Sequence, residues 1–343
     1  MDIIKLYHKL PKKIKNSEKM TLYMMRTYKM IFKRKKTDEK PNQLMNFLFK
    51  STNIKTEGTL RNMQLVYLEL LRFIDNVCNK YNLEYWLIYG TLIGAVRHEG
   101  FIPWDDDLDI AMMRKDYNRL IEVLPKEIEK HEFFKKNCGL TRLLKLEENY
   151  FKDFYSVYDF GNDKHFEKFG FSKSFFLQLA WLKPYIKLDI FPFDYIKEES
   201  IDYYKKNYLG HKYYFRVLFN DDDFSYFEEF EDQNSKLGLT LEETDYIVEG
   251  IDASFFEDSG VLKKESIFPI KTMNFEGYEF KCPNDTHEML KFTYGETYMN
   301  IPSNLDIHNF SEHNEELFDS KEEMDKAFEE TIKYLKEIND NFS

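Results

Sequence analysis

At 343 residues, 43% hydrophobic and 17% aromatic (24 Tyr, 32 Phe and 3 Trp), the chain can bury a substantial core, which excludes a disordered, collagen-like or small stapled protein. The formal net charge of -12 hides a division, because residues 1–40 hold 13 Lys/Arg against 4 Asp/Glu; the rest is acidic and lacks the broad basic face that nucleic acid requires. Cys78, Cys138 and Cys282 are odd in number, widely spaced and without a C-x-x-C pair, which argues for buried thiols in a reducing compartment.

Residues 1–57 read as a basic lead-in, in which Leu22, Tyr23, Met24, Met25, Met30, Ile31 and Phe32 precede Lys33, Arg34, Lys35 and Lys36. Two readings stand: a solvated arm, or a peripheral contact with anionic lipid, to which each basic residue near the surface contributes about 1 kcal/mol. Lys and Arg interrupt this stretch too often for a signal peptide. The uncharged run Tyr85 to Val96 has 12 residues, short of the roughly 18 to 20 that span a bilayer. The expectation is a cytoplasmic protein, with the inner membrane face as the place where a basic arm would act, and with residues 58–343 as one catalytic domain.

Leu60, Met63, Val66, Leu70, Phe73 and Ile74 share a helical face, predicting a helix to about Asn79. Tyr85 to Tyr89 reads as a short strand, Gly90-Thr91 as a turn, Leu92 to about His98 as a helix, Gly100 to Pro103 as a turn, Asp107 to Met112 as a buried strand and Lys115 to Leu124 as a helix. Lys187 to Phe191 reads as a strand stopped by Pro192. Residues 221–260, with 14 Asp/Glu against Lys236 as sole base, read as a solvated helical insertion without chemistry. Phe275 to Phe280 suggests a hairpin turning at Gly277, and Thr286 to Tyr294 a helix capped by Gly295. A capping box, Ser320-x-x-Glu323, opens a C-terminal helix over 320–340 with Met324, Ala327, Phe328, Ile332, Leu335 and Ile338 on one stripe.

The chemistry concentrates in YGTLIGAVRHEGFIPWDDDLDIAM, Tyr89 to Met112. A Gly90-Thr91 turn between strand and helix lets phosphate approach backbone N–H groups at a helix N-terminus, with Thr91 as N-cap. Asp105, Asp107 and Asp109 alternate with Leu108 and Ile110, so at period 2 the carboxylates project from one strand face. Like charges packed together repel unless a cation fills the space, and Mg²⁺, with Mn²⁺ as an alternative, prefers such hard oxygen ligands, with phosphate and water completing its shell; two ions would stand ~3.5 to 4 Å apart. The triplet Asp221-Asp222-Asp223 has no such context and reads as a polar loop. Asp189, between Leu188 and Ile190, supplies a further acid as proton acceptor or ligand to a second ion, with Asp194 as a weaker choice. Arg97 suits either phosphate or the negative end of its own helix. His98 reads as structural, and Trp104 as a stacking or packing residue.

The segment GTLIGAVRHEGFIPWDDDLDIAM resembles the LicD family of phosphotransferases, whose signature is a Gly-Thr-Leu-x-Gly-Ala-x-Arg helix followed by Pro-Trp-Asp-Asp-Asp-hydrophobic-Asp. The likeness extends to Lys187-Leu-Asp-Ile-Phe-Pro-Phe-Asp194 and to Phe268 to Pro302. It implies an α+β, nucleotidyltransferase-like core, with a short mixed sheet flanked by helices, and metal-binding roles for Asp107, Asp109 and Asp189. It also implies transfer of phosphocholine or a similar alcohol phosphate from a CDP-activated donor, such as CDP-choline or CDP-ribitol, to a sugar hydroxyl of a cell-surface glycan (lipopolysaccharide, teichoic acid or capsule). CMP would leave with its charge met by metal and by Arg97 or Lys291. Two rivals stay open: a nucleotidyltransferase that adds NMP and releases pyrophosphate, and a non-catalytic binding protein on a decayed scaffold.

Overall fold

In the computed structural model of the chain, residues 42, 43, 46, 55–141, 177–218, 226–252, 260–302, 314, 315 and 317–342 are described. The Leu22 to Lys36 stretch of the basic lead-in and the Asp221-Asp222-Asp223 triplet lie outside the described residues. The chain divides into two compact units.

The first unit is built on helix α1, Gly58–Tyr81. Its apolar stripe is the expected one: Met63, Val66, Leu70, Phe73, Ile74 and Val77 are wholly buried, and each large aliphatic or aromatic side chain taken from water contributes about 1.5 to 3 kcal/mol. Asn82, in the left-handed region at φ 54, ends the helix, its amide returning to the carbonyls of Cys78 and Asn79. Strand β1 (Trp86–Leu87), helix α2 (Tyr89–His98), strand β2 (Leu108–Met113) and helix α3 (Arg114–Ile128) follow. Helix α4 (Glu132–Asn137) leads to β3 (Cys138–Thr141), and β4 (Leu177–Leu182) to β5 (Tyr185–Ile196).

These strands lie in the order β1-β2-β5-β4-β3. Trp86 faces Ala111 and Leu87 faces Ile110 in the antiparallel β1–β2 pair, while β4 and β5 form an antiparallel pair running from Leu177↔Ile190 to Leu182↔Tyr185. Every residue of β2 is buried, which explains its near-continuous apolar run; Asp109 is the exception that needs a reason. The fold class is α+β, as expected.

The rest of this unit holds the antiparallel hairpin of β9 (Lys271–Phe275) and β10 (Tyr278–Cys282), helix α8 (Thr286–Tyr294) and helix α9 (Lys321–Asp340). Glu276 and Gly277, at φ 55 and 87, make the turn, and two successive left-handed residues suit the twist of a tight hairpin. Asp285 caps α8 by accepting the amide of Glu288, and Gly295 ends it. Ser320 caps α9 by accepting the amide of Glu323, the first half of the expected capping box, while the Glu323 carboxylate accepts the amide of Asp319, one residue before the cap, at 3.1 Å. Helix α9 packs on α1, where Asn339 donates to the carbonyl and side chain of Glu69 at 2.9 and 2.8 Å and Arg72 pairs with Asp340 at 2.7 Å.

The second unit includes Pro192–Glu265. Helices α5 (Ile201–Leu218) and α6 (Tyr226–Leu237) belong to it, with β6 (Leu239–Thr240), β7 (Tyr246–Glu249), β8 (Leu262–Lys263) and the start of α7 (Lys264–Ile267). Two expectations need correction here. Strand β5 does not stop at Pro192 but runs on to Ile196, because Pro192 needs only its carbonyl, which accepts the amide of Gly250 at 2.9 Å. The acidic stretch is not purely helical: Leu239, Ile247 and Val248 are buried in short strands, with β6 and β7 each pairing antiparallel with the end of β5, and β8, just beyond the stretch, pairs with β7. All three cysteines are free and buried, as expected.

Candidate active site

The site begins where β1 hands over to α2. Ile88 is extended, and Tyr89 then turns the chain at φ 50, a left-handed conformation that is costly for a bulky residue and is held by its surroundings. Its ring is buried and stands edge-on to Phe191, 5.1 Å between centroids. The helix therefore starts at Tyr89, three residues before the expected Leu92.

Glycine at 90 and 94, one turn apart and so on one face of α2, lets the acid-bearing loop lie directly on the helix. A Cβ on Gly90 would stand 2.9 Å from Asp105 Oδ2 and 3.9 Å from Asp107 Oδ1; one on Gly94 would meet the carbonyl of Gly100 at 2.4 Å. Thr91 does not cap the helix, since the N-cap is Ile88. Its buried hydroxyl instead accepts the amide of Asp109 at 2.9 Å and so fixes the start of β2.

The carboxylates reach one place by a route that differs in part from simple strand alternation. β2 begins at Leu108, so Asp105 and Asp107 stand on the preceding loop and only Asp109 lies within the strand. Burial, then Asp107, to which it is hydrogen-bonded side chain to side chain, push the Asp105 carboxyl well above the ordinary range, with Arg97 opposing. Burial again, then Asp107, Asp189 and Asp105, push Asp109 well up, with Lys187 opposing. Asp189 is raised mainly by burial; Lys187 and Gln178 pull the other way and Asp107 adds to the rise. Its Oδ1 accepts Gln178 Nε2 at 2.7 Å and its Oδ2 the ammonium of Lys187 at 3.2 Å. Asp194 lies in the second unit, buried, where its charge acts on Tyr204.

Arg97, in the last turn of α2, donates to the carbonyls of Tyr298 and Asn300 at 3.3 and 3.4 Å; burial draws its pKa down to about 10, leaving it charged at neutral pH beside Asp105. His98 accepts Arg97 Nε at 3.0 Å and is drawn down to about 4 by burial and by Arg97, so it is neutral, in keeping with a structural role. Trp104 stands edge-on to His98 at 6.1 Å. Lys291 pairs with Glu296 at 2.6 Å, and its charge acts on Tyr298.

Several participants were not legible. Tyr67 of α1 and Tyr294 of α8 are pushed well above the usual phenol value, first by burial of their hydroxyls and then by Asp107, Asp189 and Asp106 for Tyr67, and by Asp109, Asp105 and Asp107 for Tyr294. Gln64 donates to the carbonyls of Ile102 and Asp105 at 3.3 and 2.9 Å, holding the loop from below. In one chain of 24 Tyr nothing marks these two, whereas Lys187 carried a signal, being two residues from Asp189 on the same face of β5.

Among the described residues, no group of three His, Cys, Asp or Glu side chains is ready-made around an ion. The donor chemistry nevertheless fits Mg²⁺, which usually takes one or two carboxylates and completes its shell with phosphate and water. Asp105, Asp109 and Asp189, each pushed up by burial and by the charge of Asp107, mark a place suited to positive charge. No helix among the described residues is long and apolar enough to cross a membrane.

The chain is similar to known proteins over the stretch that carries most of these residues. The family model described as LicD/FKTN/FKRP, nucleotidyltransferase domain, matches residues 82–225. The Haemophilus influenzae protein named lipopolysaccharide cholinephosphotransferase LicD is 49% identical over 73 residues, 21% of this chain and 28% of that protein. The human ribitol 5-phosphate transferase FKRP is 40% identical over 48 residues, 14% of this chain and 10% of the human protein. The matches thus span less than a third of either relative's length. Residues 82–225, the stretch that carries Gly90, Thr91, Arg97 and all four aspartates, are thus similar to the LicD/FKTN/FKRP nucleotidyltransferase domain.

Proposed function

We propose that this chain is a Mg²⁺-dependent phosphotransferase that moves an alcohol phosphate, phosphocholine or a related group, from a CDP-activated donor to a sugar hydroxyl of a cell-surface glycan, releasing CMP. The observation that carries the reading is that Asp105 and Asp107 lie against the bare backbone at Gly90 while the charge of Asp107 acts on buried Asp109 and Asp189. The names of the two relatives differ in the alcohol and share the transferred phosphate, which supports the reaction class and leaves the alcohol to experiment.

Asp107 and Asp109 would hold the ion, with Asp105 and Asp189 at its margin. When bound, such a cation supplies charge neutralisation of diphosphate oxygens and of the departing oxygen. The remaining work falls to the chain. Gly90 leaves room for a phosphate against the start of α2, whose free N–H groups and partial positive charge favour an anion. Asp189, its carboxyl raised toward the working pH and its orientation fixed by Gln178 and Lys187, accepts the proton of the acceptor hydroxyl. The hydroxyl oxygen bonds to the phosphorus that bears the alcohol, the bond from that phosphorus to CMP breaks, and CMP leaves as an anion facing Arg97.

The test is incubation of purified protein with Mg²⁺, a glycan acceptor and a panel of CDP-alcohols that includes CDP-choline and CDP-ribitol, following CMP. Acceptor-dependent CMP release from one donor is expected. Pyrophosphate release from an NTP without CMP would instead make the chain a nucleotidyltransferase, and glycan binding with no product a non-catalytic protein.

A further inference from the structure

The tip of the β9–β10 hairpin carries a carboxylate with an unusual set of partners. Glu276 stands in the left-handed region at φ 55, yet its side chain is 3% exposed. Arg61 of α1 grips it with both terminal nitrogens, at 3.2 and 2.8 Å, and Lys55 at 2.5 Å. On its other side Glu276 Oε1 accepts the backbone amide of Phe101 at 3.2 Å, and its own amide donates to the carbonyl of Glu99 at 2.9 Å. One residue thus binds both ends of the turn that leaves α2. Gly100, between them, is shaped for this contact: a Cβ there would come within 2.4 Å of Glu276 Oε1. Burial would raise the Glu276 carboxyl, but Arg61 and Lys55 outweigh it and hold the group ionised.

The turn held in this way is the one that delivers the acids. From Phe101 the chain runs through Ile102, whose carbonyl accepts both Asp105 N at 2.9 Å and Gln64 Nε2, to the Asp105 carboxylate pressed against Gly90. A carboxylate with two cations and a backbone amide is far more than a hairpin tip needs for solubility, and none of its four side-chain bonds serves the hairpin itself. We propose that Glu276 is a positioning residue of the active site: by clamping residues 99–101 it sets the loop that places Asp105 and Asp107 for the divalent cation. The inference rests on the metal-dependent reading above and assigns a role to a residue outside the matched span of 82–225.

Two substitutions disturb the clamp independently. Glu276→Gln keeps the shape but turns a donor toward Arg61 and Lys55; Gly100→Ala leaves Glu276 in place and displaces its carboxylate. Both are measured against the wild-type chain with Mn²⁺ alone as probe, by electron paramagnetic resonance titration, and by deuterium exchange at the Phe101 amide without metal. Losing a charge-assisted hydrogen bond is expected to speed exchange at Phe101 about tenfold in each variant and to weaken Mn²⁺ binding by a similar factor, with exchange in α9 unchanged. Wild-type Mn²⁺ affinity in both variants, whatever their exchange, overturns the positioning role while leaving the metal-dependent reading intact. A wild-type chain that binds no Mn²⁺ overturns that reading itself, and the role of Glu276 with it.

Discussion

Gln178 and Asp189 face one another directly across the β4–β5 pair, and Gln178 Nε2 donates to Asp189 Oδ1 at 2.7 Å. This bond favours the ionised carboxylate. Gln178→Leu removes it, so the Asp189 pKa is expected to rise; a hydrogen bond to a charged group is worth about 1.5 to 3 kcal/mol, and about 1.4 kcal/mol is one pKa unit. If Asp189 is the proton acceptor, the acid limb of the pH–rate profile moves up by roughly one unit or more. An unmoved limb with reduced stability would make Gln178 structural only.

Thr91→Val is nearly isosteric but leaves the buried amide of Asp109 without its acceptor. Urea unfolding should show a loss of about 1 to 3 kcal/mol, the usual cost of an unsatisfied buried polar group. A loss under about 0.5 kcal/mol, the range of a neutral surface change, would show that another acceptor serves that amide.

Gly90→Ala tests the close approach of helix and acids. Its Cβ would press on Asp105 Oδ2 from 2.9 Å, and since Gly90 does not have a positive φ, alanine itself is tolerated by the backbone and slightly favoured in a helix. Thermal stability should therefore change little while kcat/KM falls by about tenfold or more, as expected when reacting groups are displaced. Equal retention of both would remove Gly90 from the site.

The raised carboxyls of Asp105, Asp109 and Asp189 carry a stability consequence in the metal-free protein. Each binds a proton more tightly folded than unfolded, so its contribution is fully present below the ordinary carboxyl range and is lost as pH rises through the raised folded value. On this count the metal-free chain is less stable at pH 8 than at pH 5, and Mg²⁺ should raise Tm more at pH 8, where fewer protons compete with it for the acids. Thermal melts with EDTA or Mg²⁺ at the two pH values measure this. A Mg²⁺ effect that is equal at both would contradict it.

Local signals were legible where one segment decides its own fate. Helix α8 ends at Gly295, Ser320 caps α9, and the β9–β10 hairpin turns at Gly277, each because turn and cap chemistry is written within a few residues. Asp109 and Asp189 stand out in the sequence for the same reason, as acids framed by aliphatics, and both are buried in strands. What escaped depends on residues far apart in the chain. Pro192 continues a strand because Gly250 supplies the donor; Glu276 finds Arg61 across 215 positions; Tyr67 and Tyr294 arrive from separate helices. Left-handed Tyr89 was hidden too, since a bulky residue there is disfavoured until Phe191 receives its ring.

The central claim is that Asp107, beside Gly90, and Asp109, on which its charge acts, serve divalent-cation-dependent transfer. Its most direct measurement is CMP release by Asp107→Asn and Asp109→Asn beside the wild-type chain, with Mg²⁺, the donor found in the panel and a glycan acceptor, after thermal melts confirm folding. A loss of at least about a hundredfold in each variant is predicted, in the range found when a single electrostatic contact to the transition state is removed. Release within about twofold of wild type from either folded variant would contradict the account, since less than about 0.5 kcal/mol of barrier would then rest on that acid.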